Sequence, residues 1–205
     1  MNRLPFIVPA LIVTLLGLGA CGGDSARTDD EPAEALPQER VDTLEIEGQR
    51  EPVRLQLYSH DELPASFYYP VGDFDPELVP SPVGYGVHFT ATFGGVRAEE
   101  ASMRFFFPAA GTPLNNPNEL RTLVEEPGGI AEIEGIILGE ERPATACEPL
   151  EYCRNIAPST DLTGYIGLGN HENQWYLVII AYPAEFGDGF APRSQLLLDR
   201  MVWSQ

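Results

Sequence analysis

Two segments of this chain have apolar patterns typical of β-strands, and they constrain the fold more than any other feature. From Tyr85 to Phe93 an apolar or aromatic side chain stands at every second position. This period of two predicts a strand with one face in a core and the other towards solvent. The segment Trp175–Tyr182 is apolar at every position. It predicts a strand near the centre of a sheet that is covered on both faces.

The rest of the chain after Val53 predicts further strands and two helices. Asn116 and Pro117 are suited to begin a helix, which Pro127 ends, and a second helix is predicted from Pro192 to Trp203. Residues 139–160 are predicted to form a long loop. Further strands are predicted at 53–57, 66–70, 101–107, 130–138 and 162–168. Together these elements predict an α+β fold over residues 53–205, an antiparallel β-sheet with two packed helices (an α/β sandwich).

The first twenty residues have the three parts of a secretory signal. A basic start at Arg3 precedes the apolar run Leu4–Leu18, and two small residues follow. The run is shorter than the roughly 20 residues that a membrane-spanning helix needs, which argues against the alternative of a retained transmembrane anchor. The four residues at the end of this signal, Leu18-Gly19-Ala20 and the following Cys21, resemble the lipobox of bacterial lipoproteins. The resemblance implies cleavage before Cys21 and attachment of diacylglycerol to its thiol.

The lipobox resemblance predicts an exported protein that is anchored to the cell envelope through lipid. Because Gly22 rather than aspartate follows the cysteine, lipoprotein sorting would favour the outer membrane, on its periplasmic side, in a host with two membranes. Residues 21–52 are rich in Asp, Glu, Pro, Ala and Gly, and this composition predicts a disordered acidic tether. Within it, a short strand at Val41–Ile46 is possible.

The charge of the chain limits the classes of molecule that it can bind. There are 31 acidic residues against 12 basic ones, all of them arginine, and the formal net charge is −19. This charge excludes nucleic acid and disfavours anionic lipid headgroups. The absence of lysine excludes phosphate-loop and Schiff-base enzymes. Two explanations for the acidity stay open, a high-GC genome with an acidic tail and a high-salt habitat.

The two remaining cysteines, Cys147 and Cys153, form an even pair in a protein predicted to be exported. In an oxidising compartment this pair predicts a disulfide that fixes the long loop around it. The alternative is a metal or redox site, but the pair lacks the C-x-x-C spacing and has no histidine close by.

Other candidate sites are weaker. Asp73, Asp75 and Glu77 place three carboxylates within five residues, which suits a hard cation, although a solvated turn is the simpler and favoured explanation. The histidines His60, His88 and His171 are far apart, the common catalytic motifs are absent, and no catalytic residue or cofactor is predicted. Three aromatic residues are expected opposite the main inward faces of their strands, where they form either core under a helix or an exposed patch. They are Tyr68, Phe106 and Tyr176.

The segment Leu63–Pro70, the antiparallel strands and the stretch from Trp175 to Trp203 resemble the PsbP-like α/β sandwich family and exported bacterial proteins of similar plan. The resemblance implies a non-enzymatic binding or assembly factor and assigns no functional residue. We therefore expect a non-catalytic envelope lipoprotein that binds a protein partner. The alternatives are a hydrolase that uses carboxylates or a histidine, and a domain that binds a small ligand or a cation at the Asp73 loop.

Overall fold

The structure, a computed structural model, describes residues 36–81, 84–109, 116–157 and 161–204. The predicted signal peptide, Cys21 and the first part of the predicted tether lie outside these residues. In the described ranges no helix is both long and apolar enough to cross a membrane.

The described strands form two antiparallel sheets, and three α-helices accompany them. The strands are β1 Glu39–Ile46, β2 Gln49–Tyr58, β3 Ala65–Pro70, β4 Phe74–Ser81, β5 Gly84–Phe93, β6 Val96–Pro108, β7 Leu138–Glu141, β8 Tyr152–Ile156, β9 Leu162–His171, β10 Gln174–Pro183 and β11 Met201–Trp203. The helices are α1 Pro117–Glu125, α2 Ile130–Ile133 and α3 Gly187–Asp199. The four-stranded sheet has the order β1-β2-β3-β11, and the seven-stranded sheet has the order β4-β5-β6-β10-β9-β8-β7. The α+β class is confirmed, with two sheets where one was predicted.

The main core lies between the two sheets and is rich in aromatic residues. Phe67 of β3 packs against Phe105 of β6, with ring centroids 4.6 Å apart, and against Phe89 of β5 at 5.3 Å. A second cluster lies between the seven-stranded sheet and the helices α1 and α2, where Leu120 and Val124 are buried. A third cluster joins β1, β2 and β3 to α3. Each sheet therefore has apolar contacts on both faces.

The central strand is predicted correctly. β10 is the fourth of the seven strands, and its side chains alternate between the main core and the cluster under α1 and α2.

The aromatic residues Tyr68, Phe106 and Tyr176, expected to form either core or an exposed patch, are all buried, so they form core. Phe106 lies in the cluster under the helices and Tyr68 in the third cluster. Tyr176 instead shares the main core with Phe107, so the expectation that it faces the opposite side is wrong.

The first helix is also predicted correctly. The side chain of Asn116 accepts hydrogen bonds from the backbone N–H groups of Asn118 and Glu119, at 2.8 and 3.0 Å, and Pro117 occupies the first turn.

The last helix differs from the prediction. It begins at Gly187, before Pro192, and so buries Phe190, and it ends at Asp199. The predicted end of this helix is strand β11, which pairs with β3.

Two further predictions are corrected. Residues 130–138 are not one strand, because α2 buries Ile130 and Ala131 and the chain then turns at Gly135, where φ is +69°. The predicted loop 139–160 contains β7 and β8, which extend the seven-stranded sheet.

Regular strand structure is already present before Val53, the residue predicted to open the domain. The proposed end of the tether lies within β2, which pairs with β1. The charged residues of this hairpin face one another. Arg50 lies 2.9 Å from Glu45, and Arg54 lies 3.0 Å from Glu39. A composition that is typical of disorder is therefore compatible with strands here, because opposite charges are paired across the ladder.

Candidate functional site

The three carboxylates of the candidate cation site each contact an arginine. Asp73 Oδ2 lies 2.6 Å from Nε of Arg193. Asp75 forms an ion pair with Arg97, and Glu77 lies 3.9 Å from the same guanidinium. Within the described ranges, no group of three or more His, Cys, Asp or Glu residues could hold a metal ion. The arginines thus already supply the positive charge that a cation would bring.

Cys147 and Cys153 form the predicted disulfide, with their Cα atoms 5.8 Å apart. Their setting differs from the expectation that both lie in a loop. Cys153 belongs to β8 and is fully buried, and Cys147 is also buried in the main core. The bridge therefore joins an edge region of the seven-stranded sheet to the segment that leads into it.

The histidines lie in separate parts of the fold. His60 follows β2, where its Nδ1 accepts a hydrogen bond from the N–H of Glu62, and His171 stacks on Trp203 with a centroid distance of 4.6 Å. Burial, together with the charges of Arg104 and Arg97, lowers the pKa of His88 to about 4. Its Nε2 is buried and has no hydrogen-bond partner among the described residues. In the described ranges, no hydrogen bond or ion pair joins one of these histidines to a carboxylate, which is a common way to orient a histidine base.

An apolar groove lies where α1, α2 and the segment before β7 meet. Its volume is about 490 Å³, and buried side chains of Val124, Ala131 and Ile136 line it. Ile137 also lines the groove and is 53% exposed, and the neighbouring Ile133 is 60% exposed. Exposed isoleucines of this kind, next to a groove, are the usual mark of a binding surface.

Carboxylates surround this apolar groove. Glu125, Glu126 and Glu132 all line it, and Glu126 and Glu132 are exposed. Glu125 is held in place by Arg121 and Arg154, at 3.2 and 3.3 Å. An apolar floor with an acidic rim can bind an apolar side chain that is flanked by basic residues.

Sequence reasoning missed this groove because it assigned residues 130–138 to a strand. The pair Ile136-Ile137, directly after Gly135, was the available signal. It marks a turn followed by one buried and one exposed isoleucine. No protein-family model and no curated protein matches the sequence.

Proposed function

We propose that this chain is an exported lipoprotein, anchored to the cell envelope through lipid on Cys21, whose folded domain binds a protein partner without catalysing a reaction. The observation that carries the proposal is the acid-rimmed apolar groove, beside which Ile133 and Ile137 are exposed. The partner would present apolar side chains flanked by lysine or arginine.

The apolar part of the groove would supply most of the binding free energy. Removing apolar surface from water contributes about 25 cal/mol per Å², so the burial of two isoleucines is a substantial gain. The backbone is hydrogen-bonded near both residues, since Ile133 ends α2 and the carbonyl of Ile137, just before β7, accepts a hydrogen bond from the N–H of Ala157 at 2.7 Å. A pre-formed surface loses little entropy when a partner binds.

The carboxylates would contribute mainly to partner choice and association rate. In a chain with a net charge of −19, a basic partner is attracted over a long range, and an acidic partner is repelled. Because such attraction is screened by salt, we expect the association rate to fall as ionic strength rises.

A photo-crosslinking experiment tests the groove directly. A photoreactive amino acid would replace Ile133, Ile137 or, as a matched control, Val96, which is 71% exposed on the β5–β6 hairpin. In intact cells we expect the first two positions to crosslink to the same protein and Val96 not to do so. Equal crosslinking from all three positions, or none from the groove, would contradict the proposal.

Substitutions test whether the contact stabilises the complex. Ile133→Glu and Ile137→Glu place a charge on the groove surface, so we expect each to reduce recovery of the crosslinked partner. Val96→Glu is the control, because it adds the same charge at an exposed site elsewhere. Thermal unfolding of each variant would verify that the domain remains folded. Unchanged partner recovery with both isoleucine variants would exclude this surface.

The anchor is tested separately through Cys21→Ser. We expect the wild-type protein to incorporate radiolabelled palmitate and to lose residues 1–20, as mass spectrometry of the purified protein would show. The Cys21→Ser variant should retain those residues and take up no label. Labelling that persists in this variant would exclude Cys21 as the site of lipid attachment, whatever the outcome for the groove.

A further inference from the structure

One arginine differs from the others in its surroundings. Every other described arginine has a carboxylate oxygen of a described residue within 3.5 Å. Arg142, just after β7, has no such partner in the described ranges, although the chain holds 31 acidic residues. A guanidinium that stays unpaired in so acidic a protein is available to an anion from outside.

Arg142 lines a cleft of about 330 Å³ between the seven-stranded sheet and α3. None of the described lining residues is acidic, and several can donate hydrogen bonds. The donors are Arg142, Asn155, Thr163, Tyr165, Tyr182 and Gln195. The cleft is therefore a donor-rich, carboxylate-free site in a molecule with a strongly negative net charge.

Two tyrosines complete the chemistry of the cleft. Burial raises the pKa of Tyr165 to about 12, and it also raises the pKa of Tyr182. Both hydroxyls are therefore protonated at neutral pH and can donate. The guanidinium of Arg142 lies over the ring of Tyr165, 5.0 Å from its centroid. This contact stabilises the cation while leaving N–H groups at the edge of the guanidinium plane free to bind a ligand.

The backbone holds this arrangement in place. The N–H of Arg142 donates to the carbonyl of Cys153 at 2.9 Å, and Cys153 is bridged to Cys147. Gly164, which also lines the cleft, has φ +127°, and a Cβ there would lie 1.9 Å from the carbonyl oxygen of Ile180. Only glycine fits at this position, where the wall of the cleft has no side chain.

One described carboxylate that influences the cleft is that of Asp199. It accepts a hydrogen bond from Nε2 of Gln195 at 2.8 Å, and its charge contributes to raising the pKa of Tyr165. Asp199 is exposed, so solvent screens its charge. The cleft thus has one uncompensated positive charge, which matches one negative charge on a ligand.

We propose that the Arg142 cleft binds a small molecule bearing a single carboxylate on a planar or apolar group. The flat guanidinium can form two parallel hydrogen bonds with a carboxylate, and the tyrosine rings with Ile180 offer apolar contact to the rest of the ligand. A phosphate dianion is a poorer match, because only one cation faces it and the surrounding protein is acidic.

Calorimetric titration of the full-length protein in mild detergent tests this site. The probes are benzoate, its neutral analogue benzamide, and inorganic phosphate. We expect benzoate to bind with a Kd of about 1 mM or tighter, and benzamide and phosphate to bind more weakly. Absence of saturable benzoate binding, equal binding of benzamide, or tighter binding of phosphate would each overturn the proposal.

Variants locate the binding to this cleft. Arg142→Gln should weaken benzoate binding by about tenfold or more, as expected for the loss of charge-assisted hydrogen bonds. Arg54→Gln removes the same charge from an exposed arginine of β2 and should leave binding unchanged. Tyr165→Phe, which removes only a hydroxyl, should weaken binding to a smaller extent. Equal effects of Arg142→Gln and Arg54→Gln would show that benzoate responds to net charge and not to this site.

Discussion

Strands β5 and β10 belong to the same sheet but have different surroundings. β10 is buried on both faces, by the main core on one side and by α1 and α2 on the other. β5 buries Val87 and Phe89 in the main core, whereas its outer face carries the half-buried His88 and the buried but polar Thr90 beside the charged residues of β4. The helices cover only part of the sheet, and the sequence of each strand matches the cover that it receives.

The largest contrast is expected between neighbouring residues of β5. Phe89→Ala should lower the free energy of unfolding by about 3–5 kcal/mol, because a fully buried ring is replaced by a cavity. His88→Gln, at a half-buried position on the outer face, should change it by about 1 kcal/mol or less at mildly alkaline pH, where the histidine is neutral. Urea denaturation measures both. Similar losses for the two variants would mean that the outer face of β5 is covered as well.

On β10 the two faces should respond alike. Ile179 and Ile180 point to opposite sides and are both buried, so Ile179→Ala and Ile180→Ala should each cost about 2–5 kcal/mol. Val96→Ala is the exposed control and should be close to neutral. If Ile179→Ala is as mild as the control, the cover provided by α1 and α2 is not formed in solution.

The outer face of β5 should give the protein a pH dependence that β10 cannot. The pKa of His88 is about 4 in the fold, below its ordinary value of 6.5. As the pH falls from about 6.5 to 4, the unfolded chain takes up a proton that the folded protein does not, so stability is lost across this window. His88→Gln should remove this part of the loss. An unchanged pH profile in His88→Gln would exclude His88 as its source.

The smallest effect is expected where the two regions meet. Arg104, opposite His88 on β6, forms an ion pair with Glu134 at the end of α2. Glu134→Gln should cost about 1 kcal/mol or less, and the loss should shrink in concentrated salt, because partly exposed ion pairs are screened. Glu126→Gln, at the exposed rim of the groove, is the control in the same urea titrations. A loss from Glu134→Gln that is independent of salt would point to packing instead of charge.

The elements that were predicted correctly follow local rules. The period of two in β5, the two-sided apolar run of β10 and the Asn116 cap of α1 are each readable within about ten residues. Other segments depend on contacts that are distant in sequence. From the sequence alone, the charges of β1 and β2 resemble those of a disordered tether, and only the fold shows that Arg54 is paired with Glu39. The run from Ile130 to Leu138 likewise fits a strand, and only the fold shows that its first residues pack on the sheet as α2.

The candidate sites were harder to predict for the same reason. The disulfide followed from counting cysteines, but its buried position in β8 did not. The Arg142 cleft combines residues of β8, β9, β10 and α3 with one arginine from the segment after β7. Nothing local distinguishes that arginine from the eleven others. Its lack of a carboxylate partner is a property of the folded chain.

Strand β11 has a consequence for the order of events during synthesis. It completes the four-stranded sheet by pairing Met201 with Phe67, and the adjacent Arg200 contacts Asp42, which is 158 residues earlier. That sheet therefore cannot be completed while residues 200–203 are still at the ribosome. Pairings between such distant segments form slowly. In the exported lipoprotein that we propose, a chain that crosses the membrane unfolded would stay competent for transport during this delay.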